Sequence, residues 1–99
     1  MTYRVRFSAE ARSDIERLYQ FLADHDIQAA ESALETLGRA WDLLSHFPFA
    51  SRKADPDSPF LRELVIPFGH TGYVALFEIE SDTTVTLLAL RHQREDDYH

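Results

Sequence analysis

The sequence predicts an α+β domain: an N-terminal strand, an antiparallel helical hairpin, then a three-stranded antiparallel meander, in the order β-α-α-β-β-β. Three observations predict it. Residues 3–7 alternate with period two, two stretches of helical spacing follow with only Asp24, His25 and Asp26 between them, and three apolar runs separated by short turns close the chain. Period two places alternate side chains on one face of a strand, whereas spacings of three and four place them on one stripe of a helix.

In the first strand Tyr3, Val5 and Phe7 alternate with Arg4 and Arg6. Ser8 then offers a side-chain oxygen to the free amides of a helix starting at Ala9, and Glu10 suits its positive end. Ala11, Ile15, Leu18 and Leu22 form the apolar stripe of this helix to about Ala23, with Tyr19 and Phe21 assigned to packing and Arg12, Asp14, Glu16 and Arg17 to a solvated face. Asp26 caps a second helix, in which Ala30, Ala33, Leu34, Leu37, Trp41 and Leu44 recur through about His46. So short a connection makes the two helices antiparallel.

Residues 47–59 read as a proline-stiffened loop holding Pro48, Pro56 and Pro59. Phe60 to Ile66 is the next strand, stopped by Pro67, and Phe68 to Gly72 is its turn. Tyr73 to Glu80 and Thr84 to His92 are long, apolar runs suited to central strands, joined by Ser81, Asp82 and Thr83. The first strand is expected to pair with an edge of the meander, the hairpin to cover one face, and Arg62 and Arg91 to converge on the other.

Composition narrows the function. One domain of 99 residues with no cysteine has neither disulfides, nor thiolate metal sites, nor a cysteine nucleophile. The separations of His70, His92 and His99 fit no metal motif, no glycine-rich phosphate loop occurs, and no cofactor is expected. No apolar run is long enough to span a membrane and no signal-peptide pattern opens the chain, so the expected compartment is the cytoplasm. A net charge of -7 with a single lysine, Lys53, argues against general nucleic-acid binding, which depends on cations displacing counterions at phosphates. The cations that stand out are local: Arg62 within FLRELVIP, and Arg91 and Arg94 at the end of the last strand beside His92, Tyr98 and His99.

These segments carry a resemblance. The loop-to-strand stretch FPFASRKADPDSPFLRELVIP, the strand YVALFEIE and the ending LLALRHQREDDYH, behind a helical hairpin closed by Trp41 and Leu44, are similar to toxins of the RelE/ParE superfamily. The likeness covers essentially the whole chain. It implies the fold read above, and a toxin component of a type II toxin-antitoxin, or plasmid-stabilisation, module. It also implies a cognate antitoxin whose C-terminal segment wraps the toxin. The superfamily divides between ParE-like poisons of DNA gyrase and RelE-like endonucleases that cut mRNA on the ribosome. The resemblance makes Arg62, Arg91, His92, Arg94 and Tyr98 the functional surface, catalytic only under the RelE-like reading. RNA cleavage needs a base, an acid and cations around the phosphorane. Glu95, Asp96 and Asp97 put three carboxylates into that cluster and repel phosphate, so gyrase poisoning is favoured over ribosome-dependent mRNA cleavage. A non-toxic interaction protein on the same fold is the third reading. Phe47, Phe49 and Phe60 are expected to be exposed if an antitoxin docks on them.

Overall fold

The computed structural model describes residues 2–94. Strand β1 (Arg4–Phe7) leads into helices α1 (Ala9–Ala23) and α2 (Ile27–His46). A short 3-10 turn at Pro48–Ala50 follows, and then come β2 (Arg52–Asp55), β3 (Ser58–Phe68), β4 (Thr71–Ile79) and β5 (Thr84–His92). Both helix starts are capped as the residue types dictate. The Ser8 hydroxyl accepts from the Ala11 amide at 3.1 Å, and the Asp26 carboxylate accepts from the amides of Gln28 and Ala29.

All five strands form one sheet in the order β1-β5-β4-β3-β2. The meander β3-β4-β5 is antiparallel, and β1 joins it at β5 in parallel, with Val5 opposite Val85 and Phe7 opposite Leu87. Helix residues Leu18, Ala33, Leu37 and Leu44 pack on the sheet face that presents Ile66, Tyr73, Ala75, Phe77, Ile79, Val85, Leu87 and Leu90. Trp41 meets Phe7 edge to face, with ring centroids 5.6 Å apart, which ties α2 to β1.

The structure adds to the expected fold in one place and corrects it in others. Arg52–Asp55, within the expected loop, is a fourth antiparallel strand on β3, with Arg52 opposite Glu63 and Lys53 opposite Arg62. A strand reading RKAD has no apolar face to reveal it; it exists because β3 offers it a ladder. Pro67 does not stop β3, which continues to Phe68. Among the described residues no strand pairs with the β2 side of β3 beyond Glu63, and a proline is tolerated beside an open edge. Phe21 and Leu34, assigned to packing, are exposed, Leu34 at the seam between the helices beside Leu18, Tyr19 and Leu22 of α1. Gly72 opposite Pro67 is required by space, since a Cβ there would collide with the Ile66 carbonyl.

Asp14 corrects the reading of α1 most sharply. It is 1% exposed, and its carboxylate accepts from the Leu90 amide at 2.9 Å. Strand β1 pairs with β5 only as far as Leu87, and the register of β5 against β4 then shifts by one residue at Leu88. Past that bulge α1 takes over the edge: the Ser8 hydroxyl donates to the Leu88 carbonyl at 3.0 Å, and Asp14 receives the Leu90 N–H. These two side chains satisfy main-chain groups that the missing length of β1 leaves unpaired.

Candidate functional site

The residues singled out from the sequence fall at three places. Arg62 lies near the start of β3 and pairs with Phe77, on the sheet face turned toward the helices. Its guanidinium is occupied by main chain: Nε donates to the Pro59 carbonyl at 2.7 Å, and Nη1 to the carbonyls of Ser51 at 2.8 Å and Phe49 at 3.3 Å. It also lies 5.2 Å from the centre of the Phe49 ring. Arg62 thus clamps the Pro48–Ala50 turn to β3.

Arg91 and His92 sit at the far end of β5, opposite Val74 and Tyr73 respectively. Being consecutive on a strand, they project to opposite faces of the sheet. Tyr73 belongs to the core under the helices, so His92 is on the helix side and Arg91 on the uncovered side. The expected convergence of Arg62 and Arg91 therefore does not occur: they occupy different faces, on strands separated by β4.

His92 is held on both ring nitrogens. Nδ1 accepts from the Arg94 amide at 3.1 Å, while Nε2 lies 3.0 Å from the Thr71 hydroxyl. A neutral ring with its proton on Nε2 satisfies both contacts, a tautomer assigned from the hydrogen-bond pattern. Its edge packs on Tyr73, with centroids 5.8 Å apart. Arg94 lies on the surface immediately after β5. Tyr98 and His99, together with Glu95, Asp96 and Asp97, lie outside the described residues.

Tyr73 is the titrating group whose surroundings matter. Burial against the helices pushes its phenol above the ordinary value of 10.0, because a phenolate there would lose hydration. The neutral phenol is favoured more in the folded chain than in the unfolded one. Its stabilising contribution is therefore complete below pH 10 and is lost as the pH rises through the higher folded value. Urea midpoints should fall on going from neutral pH to above pH 10, and Tyr73→Phe should flatten that fall. An unchanged alkaline slope in the variant would remove Tyr73 as its source.

The residues that sequence reasoning missed are those that act through long-range contact. Thr71 and Gly72 support the end of β5, through the His92 contact and through the Gly72 carbonyl, which accepts from the Gln93 amide at 2.9 Å. Asp14 supports Leu90 just before Arg91. A signal for Asp14 was present: it lies three residues after Ala11 and four before Leu18, on the apolar stripe itself. The three phenylalanines expected at the surface are there, Phe47 at 63%, Phe49 at 48% and Phe60 at 53% exposure. No helix among the described residues is long and apolar enough to cross a membrane.

Two helices packed on one face of a small sheet, followed by antiparallel strands, form a RelE/ParE-like fold. A solved structure described as "Chromosomal ParDE TA system from P. aeruginosa" superposes with a TM-score of 0.72 over 92% of this chain and 96% of that one, at 13% identity. Over residues 5–97 the chain matches the family described as ParE toxin of type II toxin-antitoxin system, parDE. Two relatives from Caulobacter vibrioides (strain ATCC 19089 / CIP 103742 / CB 15) are similar in sequence. Toxin RelE1 is 34% identical over 80% of this chain and 82% of its own length, and Toxin RelE3 is 33% identical over 92% and 95%. The chain belongs to the ParE toxin family of type II toxin-antitoxin systems.

Proposed function

We propose that this toxin acts in the cytoplasm by binding and poisoning DNA gyrase, without cutting nucleic acid itself, and that a cognate antitoxin encoded in the same module neutralises it. One observation carries the choice of target: the described groups that RNA cleavage would require do not converge. Arg62 is engaged with three carbonyls, His92 has both nitrogens bonded within the chain, and Arg91 projects from the opposite face to His92. General acid-base chemistry needs its groups within hydrogen-bond reach of one reacting phosphate.

The purified chain added to gyrase and relaxed plasmid should inhibit supercoiling and accumulate cleaved DNA. Induction without antitoxin should cause filamentation and the SOS response. Unimpaired supercoiling together with normal replication would reject the reading. A second reading, ribosome-dependent mRNA cleavage, is favoured by the names of the two relatives, Toxin RelE1 and Toxin RelE3. It requires mRNA cut on translating ribosomes, with Arg91→Ala or Tyr98→Phe slowing the cut by about tenfold or more, and translation that continues unchanged during induction would exclude it.

A further inference from the structure

The aromatic pair beside Arg62, Phe49 and Phe60, lies outside the packed core. Phe49 and Phe60 are both about half exposed, with ring centroids 6.1 Å apart and planes at 72°. Exposed aromatics of this size are ordinarily withdrawn from water. These two are also fixed in place: the Arg62 guanidinium lies over the Phe49 ring and donates to the carbonyls of Phe49, Ser51 and Pro59, so the backbone beside both rings is tied to one side chain. Little further ordering is needed when a partner covers them, which favours tight binding.

The pair forms one wall of a groove of about 320 Å³, with Tyr3 and Ile79 as its other apolar surfaces and Glu80 and Asp82 at its rim. Glu80 is braced by the Thr86 hydroxyl, which donates to it at 2.7 Å. Among the described residues no cationic side chain lines the groove, and the whole chain carries a net charge of -7. Such a site repels phosphates and acidic peptides, and a second copy of this chain would bring the same acidic rim against it. An apolar centre with a charged rim of one sign is the anatomy of a protein-binding hot spot for a segment of the opposite sign.

We infer that this groove seats a basic segment of the antitoxin, which inserts an apolar side chain against Phe49 and Phe60 and sets a lysine or arginine against Glu80 and Asp82. The inference rests on the reading of an antitoxin-controlled toxin and adds the place and chemistry of the contact. The test is the affinity of the full-length chain for the antitoxin from the adjoining reading frame, measured over a range of salt concentrations. Phe60→Ala should weaken the complex roughly tenfold or more. Glu80→Gln combined with Asp82→Asn should slow association and flatten its salt dependence, because a rim charge acts mainly on encounter. Ile27→Ala, which removes a comparably exposed apolar side chain at the start of α2, should leave affinity unchanged. Thermal melts matching the parent chain establish that each variant is folded. Parental affinity in both groove variants, or tighter binding by the charge variant, would overturn the inference and leave the toxin-antitoxin reading standing. An antitoxin that fails to bind the parent chain would overturn that reading and this inference with it.

Discussion

Phe77→Ala is expected to lower the unfolding free energy by about 3–5 kcal/mol, the range for truncating a buried phenylalanine. Phe77 is 0% exposed. It lies in the middle of β4 between Arg62 on β3 and Leu87 on β5, within the cluster formed with Leu37 and Leu44. The loss has two parts, the transfer free energy of the ring and the contacts its neighbours forfeit around the cavity, since strands paired on both sides of β4 cannot collapse inward. A domain of this size is stable by only about 5–15 kcal/mol, so the variant should melt at least roughly 12 °C lower. Phe77→Leu, which retains most of the volume, should lose distinctly less. The measurement is urea and thermal denaturation of all three chains. A loss below about 1 kcal/mol in Phe77→Ala would contradict a closely packed centre at this position.

For Asp14→Ala the expected loss is about 1–3 kcal/mol, because it leaves the Leu90 amide buried without an acceptor. Asp14→Asn keeps an oxygen at the same place and should recover most of that loss. The difference separates the backbone bond of Asp14 from the effect of its charge. Its ion pair with Arg17, at 3.7 Å, involves a half-exposed guanidinium in the next turn of the same helix, and such pairs are worth little. The bond to Leu90 joins residues 76 apart in sequence. Hydrogen exchange at the Leu90 amide should accelerate in the alanine variant and stay near the parent value in the asparagine one. If asparagine proves as damaging as alanine, the carboxylate's charge rather than the backbone acceptor is what matters. Because Leu90 immediately precedes Arg91 and His92, loosening this contact should also weaken target inhibition.

The parts of the fold legible in the sequence are those whose causes lie within a few residues. Ser8 and Asp26 announce helix starts because a cap bonds amides two or three positions ahead. The helical hairpin follows from two apolar stripes and a short connection. The three long strands follow from apolar runs interrupted near Gly69 and at Ser81–Thr83. Their antiparallel order needs only that consecutive strands with short turns pair with one another.

The candidate site was legible as a set of residue types and only partly as a geometry. Alternation along β5 already places Arg91 and His92 on opposite faces, but Arg62 had no such local signal. Its partners are the carbonyls of Phe49, Ser51 and Pro59, and which of these the guanidinium reaches depends on how the turn after α2 folds back on β3. The β2 strand was hidden for the same reason, since its four residues have no apolar face and its ladder belongs to β3.

The sequence by itself therefore determined the order of every element except β2, the helix boundaries, and the superfamily to which the chain belongs. These rest on local hydrogen bonds, hydrophobic periodicity and the order of motifs. Only the tertiary structure decided that β1 joins β5 in parallel, that Asp14 is a buried acceptor, that Arg62 is a clamp and that Arg62 and Arg91 lie on different faces. Each of these depends on groups distant in sequence, where the free energy of pairing is decided by which main-chain donors and acceptors the completed sheet leaves open.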